Sequence, residues 1–167
     1  MPGQHDDVLV IVDAATLLAA HPDASLDADA PTPIGGQHVY VMNAGDAQQI
    51  GRNDSRIVVK LSAGDELHLR ESALSLRAEE SVVFYRFALA DGSVMSSLEV
   101  VADHATLSVP NPQDLLQPKT QKTGGHFWRG EVLTAGSTTC EADFVVLGSD
   151  EKIKGYFRWK ISIDIES

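Results

Sequence analysis

One stretch near the C-terminus limits the possible folds more than any other. Residues 156–165 place Phe157, Trp159, Ile161, Ile163 and Ile165 on one phase, and Tyr156, Arg158, Lys160, Ser162 and Asp164 on the other. A repeat of two is that of a β-strand, whose successive side chains project to opposite faces. Five large apolar groups on one face need a second apolar layer to cover them. Trp159 shares that face with three isoleucines, which places it in the core.

The same period recurs along the chain. Residues 56–61 put Ile57, Val59 and Leu61 on one face, and residues 66–71 put Leu67 and Leu69 inward with Glu66, His68 and Arg70 outward. The turn S-A-G-D at 62–65 between them predicts a hairpin. Residues 81–89 are apolar on both phases, which predicts a central strand. Residues 97–109 hold Leu98 and Val100 on one phase but Val101, Ala105, Leu107 and Val109 on the other. One extra residue near Val100 and Val101, a bulge, reconciles them. Residues 138–147 place Cys140, Ala142, Phe144 and Val146 inward, and a strand resumes at Phe127 after a proline- and glycine-containing connection over 110–125.

The first apolar run, residues 8–12, lacks alternation and reads as a strand covered on both faces. Asp13 then offers an N-cap to a helix of about two turns that Pro22 ends. A long loop follows over 21–36, and a loop of that length is often functional or mobile. A strand over 38–42 and a turn-rich stretch over 43–55 come next. About nine strands with one short helix after the first predict an all-β, antiparallel, jelly-roll-like β-sandwich, with residues 1–167 as a single domain.

Composition narrows the function. The chain has 167 residues and a net charge of -11, with no Lys or Arg before Arg52. That field repels phosphate backbones and anionic lipid, so neither nucleic acid nor a membrane is an expected partner. One cysteine, Cys140, forms no intrachain disulfide, and the apolar run at 8–12 is too short for a signal-peptide core or a membrane span. The expected compartment is the cytoplasm.

No hydrolase elbow, metalloprotease helix, paired C-x-x-C, dinucleotide fingerprint or P-loop occurs. No catalytic residue, cofactor or metal site is expected from sequence. Glu66, His68 and Arg70 recur on alternate positions about 7 Å apart, a spacing that either lines a small polar site or forms a solvated strand face. Glu71, on the inward phase, either needs a cation such as Arg77 or Arg86 or marks the strand end. Asp23, Asp27 and Asp29 lack calcium-loop spacing and read as a solvated acidic loop. The six histidines form no close pair with zinc spacing. Cys140 reads as a buried thiol. His126, Phe127, Trp128 and Arg129 follow two glycines, so His126, Trp128 and Arg129 are the candidate contact surface for a ligand or partner, with core packing as the alternative.

Four pieces together resemble the AidA/PixA family of bacterial inclusion body proteins. They are DVLVIVDAATLLAAHPDAS at 7–25, HVYVMNAG at 38–45, GDELHLRESALS at 64–75 with VVFYRF at 82–87, and KGYFRWKISIDI at 154–165. The resemblance covers nearly the whole chain and rests on the order and spacing of the pieces. It implies a small cytoplasmic β-sandwich protein with no known enzymatic residues, some members forming intracellular inclusions and some made under quorum-sensing control. The inclusion-forming type is methionine-rich. With three methionines, this chain is nearer the AidA side. The expected function is therefore non-enzymatic, through self-association or protein binding, with a homo-dimer as the first expectation. A small-ligand or carbohydrate-binding module is the alternative, in which a small molecule is the partner.

Overall fold

The computed structural model describes residues 3–43, 51–52, 55–75, 77 and 79–167. Among these the strands are β1 (His5–Val12), β2 (Thr32–Ile34), β3 (Val39–Asn43), β4 (Gly51–Arg52), β5 (Arg56–Lys60), β6 (Glu66–Ala73), β7 (Glu80–Leu89), β8 (Glu99–Val109), β9 (Lys119–Glu131), β10 (Gly136–Gly148) and β11 (Ile153–Glu166). Helix α1 (Ala14–Ala20) follows β1. The expected turns at 44–50 and 53–54 lie outside the described residues. No described helix is long and apolar enough to cross a membrane.

Two sheets carry the chain. The first has the order β4-β3-β1-β6-β9-β8, and the second β2-β11-β10-β7, with β5 also on β11. Their inward side chains form one apolar cluster, from Val8, Val10, Leu67 and Leu69 on one side to Phe144, Phe157, Trp159 and Ile161 on the other. Each such side chain, fully buried, contributes about 1.5–3 kcal/mol. The β-sandwich is as the alternation requires. Most pairings are antiparallel, while β1 with β6, and β11 with β2 and β5, run parallel.

The helix is capped as its sequence indicates. Asp13 Oδ1 accepts the Thr16 N–H at 3.2 Å, and Ala14 and Leu17 are buried beneath it.

Four expectations are corrected. Strands β5 and β6 do not form a hairpin: the turn at 62–65, with Gly64 at φ +90°, carries the chain from one sheet to the other. Both strands still face one core, which is why their alternation looked like a pair. Strand β7 is an edge rather than central. Its outer face is apolar because the 21–34 loop lies over it, with Ala28 C=O accepting from Tyr85 Oη at 2.8 Å and from Arg86 Nη2 at 2.9 Å.

The face-switching residue lies in β7 and not near Val100. Pairing with β10 steps from Phe84 to Arg86 and skips Tyr85, so Phe84 and Phe87 both reach the core. Pairing of β8 with β9 is unbroken from Glu99 to Val109. Finally, β9 begins at Lys119 rather than Phe127. Among the described residues, 119–127 pair only with β8, because β6 meets β9 only from Trp128 to Glu131. The strands β8 and β9 thus run on beyond the sandwich as a two-stranded ribbon.

The long loop is held rather than loose. Gly155 lets it approach β11: a Cβ there would lie 2.9 Å from Ala24 Cβ and 2.9 Å from the Phe157 ring. Next to it the Tyr156 N–H donates to Ser25 C=O at 2.8 Å.

Candidate functional site

The outer face of the first sheet gathers polar side chains from three neighbouring strands. Parallel pairing sets His5 beside Glu66 and Asp7 beside His68, while antiparallel pairing sets His68 beside Arg129. Since Leu67 and Leu69 point into the core, the intervening Glu66, His68 and Arg70 must point out, as the sequence predicts.

His68 is the centre of this face. Its ring stacks on His5 at 4.7 Å and leans on Phe127 at 4.5 Å. His68 Nε2 lies 2.8 Å from Glu66 Oε2. An ionised carboxylate only accepts, so Nε2 carries the proton and donates. In the neutral ring Nδ1 then holds a lone pair, and it faces Asp7 Oδ1 at 3.7 Å. His5 Nε2 lies 3.5 Å from Asp7 Oδ2. One ligand atom from each of His5, Asp7 and His68 falls within 4.8 Å of the others. The sequence offers no close histidine pair, and this grouping arises through long-range pairing. His5 and His68 are 63 positions apart, and only the β1–β6 pairing joins them.

Arginines border the site. Arg70 donates to Asp103 Oδ2 at 3.0 Å, and its guanidinium carbon lies 4.9 Å from the centre of the Phe127 ring. Arg129 lies 3.9 Å from Glu66 and 3.8 Å from Glu99. Beside them is an open cleft of about 340 Å³ lined by Glu66, Ser96, Ser97, Glu99, Arg129 and Glu131. Its lining is polar, three glutamates against one arginine and two serines, unlike the largely apolar walls of small-molecule pockets.

The expected contact surface of His126, Trp128 and Arg129 does not exist as one patch. Adjacent residues of a strand project to opposite faces, so Arg129 joins the outer face while His126 and Trp128 turn inward. Trp128 is 9% exposed and packs edge-on to Phe87 at 4.8 Å. It is a core residue and presents no exposed ring face.

His126 is instead the hydrogen-bond partner of Glu71. Glu71 is 4% exposed, and its Oε1 accepts from His126 Nε2 at 2.6 Å and from the Phe84 N–H at 3.2 Å. The expected partners lie elsewhere, Arg86 on Asp143 and Arg77 near Glu79. Glu71 therefore ties the inner face of the first sheet to the edge of the second. Glu71→Ala is expected to cost about 2–3 kcal/mol in urea unfolding, because it leaves the buried Phe84 N–H unbonded. Glu71→Gln, which keeps an acceptor, is expected to lose roughly half as much.

A second polar cluster went unseen in the sequence. Asp143, only 1% exposed, accepts from Arg86 Nε at 2.8 Å and from Arg158 Nε at 2.7 Å. Burial raises its carboxyl pKa, but Arg158 and Arg86 together hold it below the ordinary carboxylate value. Cys140 is buried, and burial pushes its thiol up to about 12, which makes it a poor nucleophile. Asp27 Oδ1 accepts the Asp29 N–H at 2.9 Å in a local turn, and Asp29 faces Arg86 at 3.9 Å.

Comparisons with known proteins agree with the fold. The profile of the PixA inclusion body protein family matches residues 4–165. The crystal structure of an inclusion body protein (PixA) from Burkholderia cenocepacia J2315 superposes with a TM-score of 0.78 at 17% identity, covering 99% of this chain and 97% of that one. The solution structure of amebosin gives a TM-score of 0.25 at 7% identity over 65% of this chain and 88% of that one, which carries no argument. No curated protein matches.

Proposed function

This chain belongs to the PixA inclusion body protein family, and from that premise we propose that it is a non-enzymatic cytoplasmic protein that acts by self-association. The ribbon of β8 and β9 is the element that engages a second copy. The observation that carries this is the ribbon's lack of support. Past Phe127 it pairs with no third strand among the described residues, and a two-stranded ribbon in water is marginal by itself. Its free strand edges offer unpaired backbone groups to another sheet. At its tip Leu115 is 75% exposed and Leu116 88%, with Leu107 also exposed along its length.

Charge points to a second copy as the occupant. Over residues 101–127, Lys119 and Lys122 balance Asp103 and Asp114, whereas the whole chain carries -11. A neutral ribbon approaches an acidic body without the repulsion that two bodies feel. The single buried Cys140 fits a reducing compartment. Synthesis under quorum-sensing control belongs to the same reading and is checked by transcript level against cell density.

Size-exclusion chromatography with light scattering on the full chain tests association. A dimer is expected, and Leu115→Asp with Leu116→Asp should weaken it roughly tenfold or more, since buried apolar anchors dominate interfaces. A strict monomer at high concentration, or a dimer indifferent to both substitutions, overturns the reading.

A further inference from the structure

We propose that His5, Asp7 and His68 form a binding site for a zinc-class divalent cation on the outer face of the first sheet. The donor set is two imidazoles and a carboxylate, which suits borderline metals such as zinc and disfavours calcium or magnesium, whose ligands are oxygens.

Three observations converge on this site. The first is spacing. Ligands about 2.0–2.1 Å from a tetrahedral ion lie roughly 3.3 Å from one another. His5 Nε2 is 3.5 Å from Asp7 Oδ2, His68 Nδ1 is 3.7 Å from Asp7 Oδ1, and one ligand atom of each residue lies within 4.8 Å of the others, so a turn of the exposed His5 ring out of its stack on His68 is what brings the three to that geometry. The second is an orphaned acceptor. Asp7 Oδ1 is buried from solvent and has no hydrogen-bond partner. A buried carboxylate oxygen without a donor is costly, and a cation bound between it and His68 Nδ1 resolves that cost.

The third is the tautomer. Glu66 Oε2 accepts a hydrogen bond from His68 Nε2–H at 2.8 Å, which leaves the Nδ1 lone pair facing Asp7. A carboxylate on the far nitrogen of a ligating histidine is the usual support of a zinc ligand, because it fixes the ring and raises its basicity. The ring of Phe127, 4.5 Å from that of His68, holds the His68 plane. Arg70 Nε stands 3.8 Å from Asp7 Oδ1, but its hydrogen bond goes to Asp103. Its positive charge keeps the affinity moderate. Three protein ligands leave a fourth position for water.

Isothermal titration of the full chain with zinc chloride tests the site. The expected result is one ion per chain with a dissociation constant in the micromolar range. Titration with cobalt should give the visible absorption bands of a four-coordinate ion. His5→Ala and His68→Ala should each weaken binding at least tenfold, and Glu66→Gln roughly tenfold through the His68 ring. His104→Ala and His38→Ala, remote from the site, should leave it unchanged. His5 stands at the exposed end of β1, so His5→Ala keeps the test decisive even if His68→Ala disturbs packing. Absence of saturable binding at one ion per chain, or binding that survives His5→Ala at full strength, overturns the proposal.

Discussion

Trp159→Ala should remove about 3–5 kcal/mol of folding stability, the cost of deleting a large aromatic from a packed core. Trp159 is 1% exposed and stands at the junction of three partners of β11. It pairs with Ala142 on β10 and with Ile34 on β2, and β5 takes over the β2 edge from Ser162 onward. Its indole N–H donates to Ser55 Oγ at 2.9 Å, and the Ser162 N–H donates to Ser55 C=O at 2.8 Å. Ser55 sits at φ 47°, a left-handed conformation that a side chain enters only when its surroundings hold it there. The alanine therefore opens a cavity and also releases the residue that leads into β5. Trp159→Phe keeps most of the packing and loses the indole hydrogen bond, so about 1–2 kcal/mol is expected. Urea denaturation separates the two. A Trp159→Ala midpoint close to that of the unsubstituted chain would contradict the assignment of this residue as the pivot of the second sheet.

The sequence made the strands legible but not their neighbours. Alternation in residues 56–61 and 66–71 reports which side chains are buried, and both sets are. It carries no information on which strand lies alongside, so a cross-sheet corner was read as a hairpin. Strand β2 escaped notice because Thr32–Ile34 is three residues long and contains Pro33. Proline is tolerated there since β2 lies at a sheet edge. In the β8–β9 ribbon the period of two is present but has no core to answer to. Of the apolar residues that suggest a bulge, Val100, Ala105 and Leu107 are exposed, while Leu98 is buried in the core ahead of the strand.

The candidate site was half legible. The outward phase of Glu66, His68 and Arg70 follows directly from Leu67 and Leu69, and the structure places all three on the outer face. What alternation could not provide is the parallel pairing with β1 that brings in His5 and Asp7. One signal was present, His5 and Asp7 spaced by two ahead of an apolar strand, on the phase opposite Val8 and Val10. The inward Glu71 did announce a need for a polar partner. Its partner proved to be His126, assigned from sequence to a contact surface because a loop exit next to aromatics looks the same in either role. Asp143 gave no signal at all. It sits on the outward phase of β10, where a carboxylate is ordinary, and Arg86 and Arg158 from the two neighbouring strands close over it.

That buried carboxylate makes the sharpest pH prediction. Removing both of its partners by Arg86→Met and Arg158→Met is expected to cost about 3–5 kcal/mol at neutral pH, because an unpaired charge is then left in a desolvated place. Asp143→Ala should cost less, since Arg86 and Arg158 are both partly exposed and regain water. The pH dependence separates these mechanisms by sign. In the unsubstituted chain the folded Asp143 pKa is lowered, so its stabilisation is full above the ordinary aspartate value of about 3.9 and is lost as pH falls through the folded value. With both arginines gone, only burial remains, and burial raises the carboxyl pKa above its unfolded value. The penalty is then greatest at neutral pH and shrinks as pH falls toward about 4, where the neutral acid is buried instead. Over that range the double variant should gain stability on acidification while the unsubstituted chain does not. Urea midpoints measured from pH 7 down to pH 4 read this directly. A gap between the two proteins that stays constant over that range would show that the arginines act through packing and the Ala28 contact, and not through the charge of Asp143.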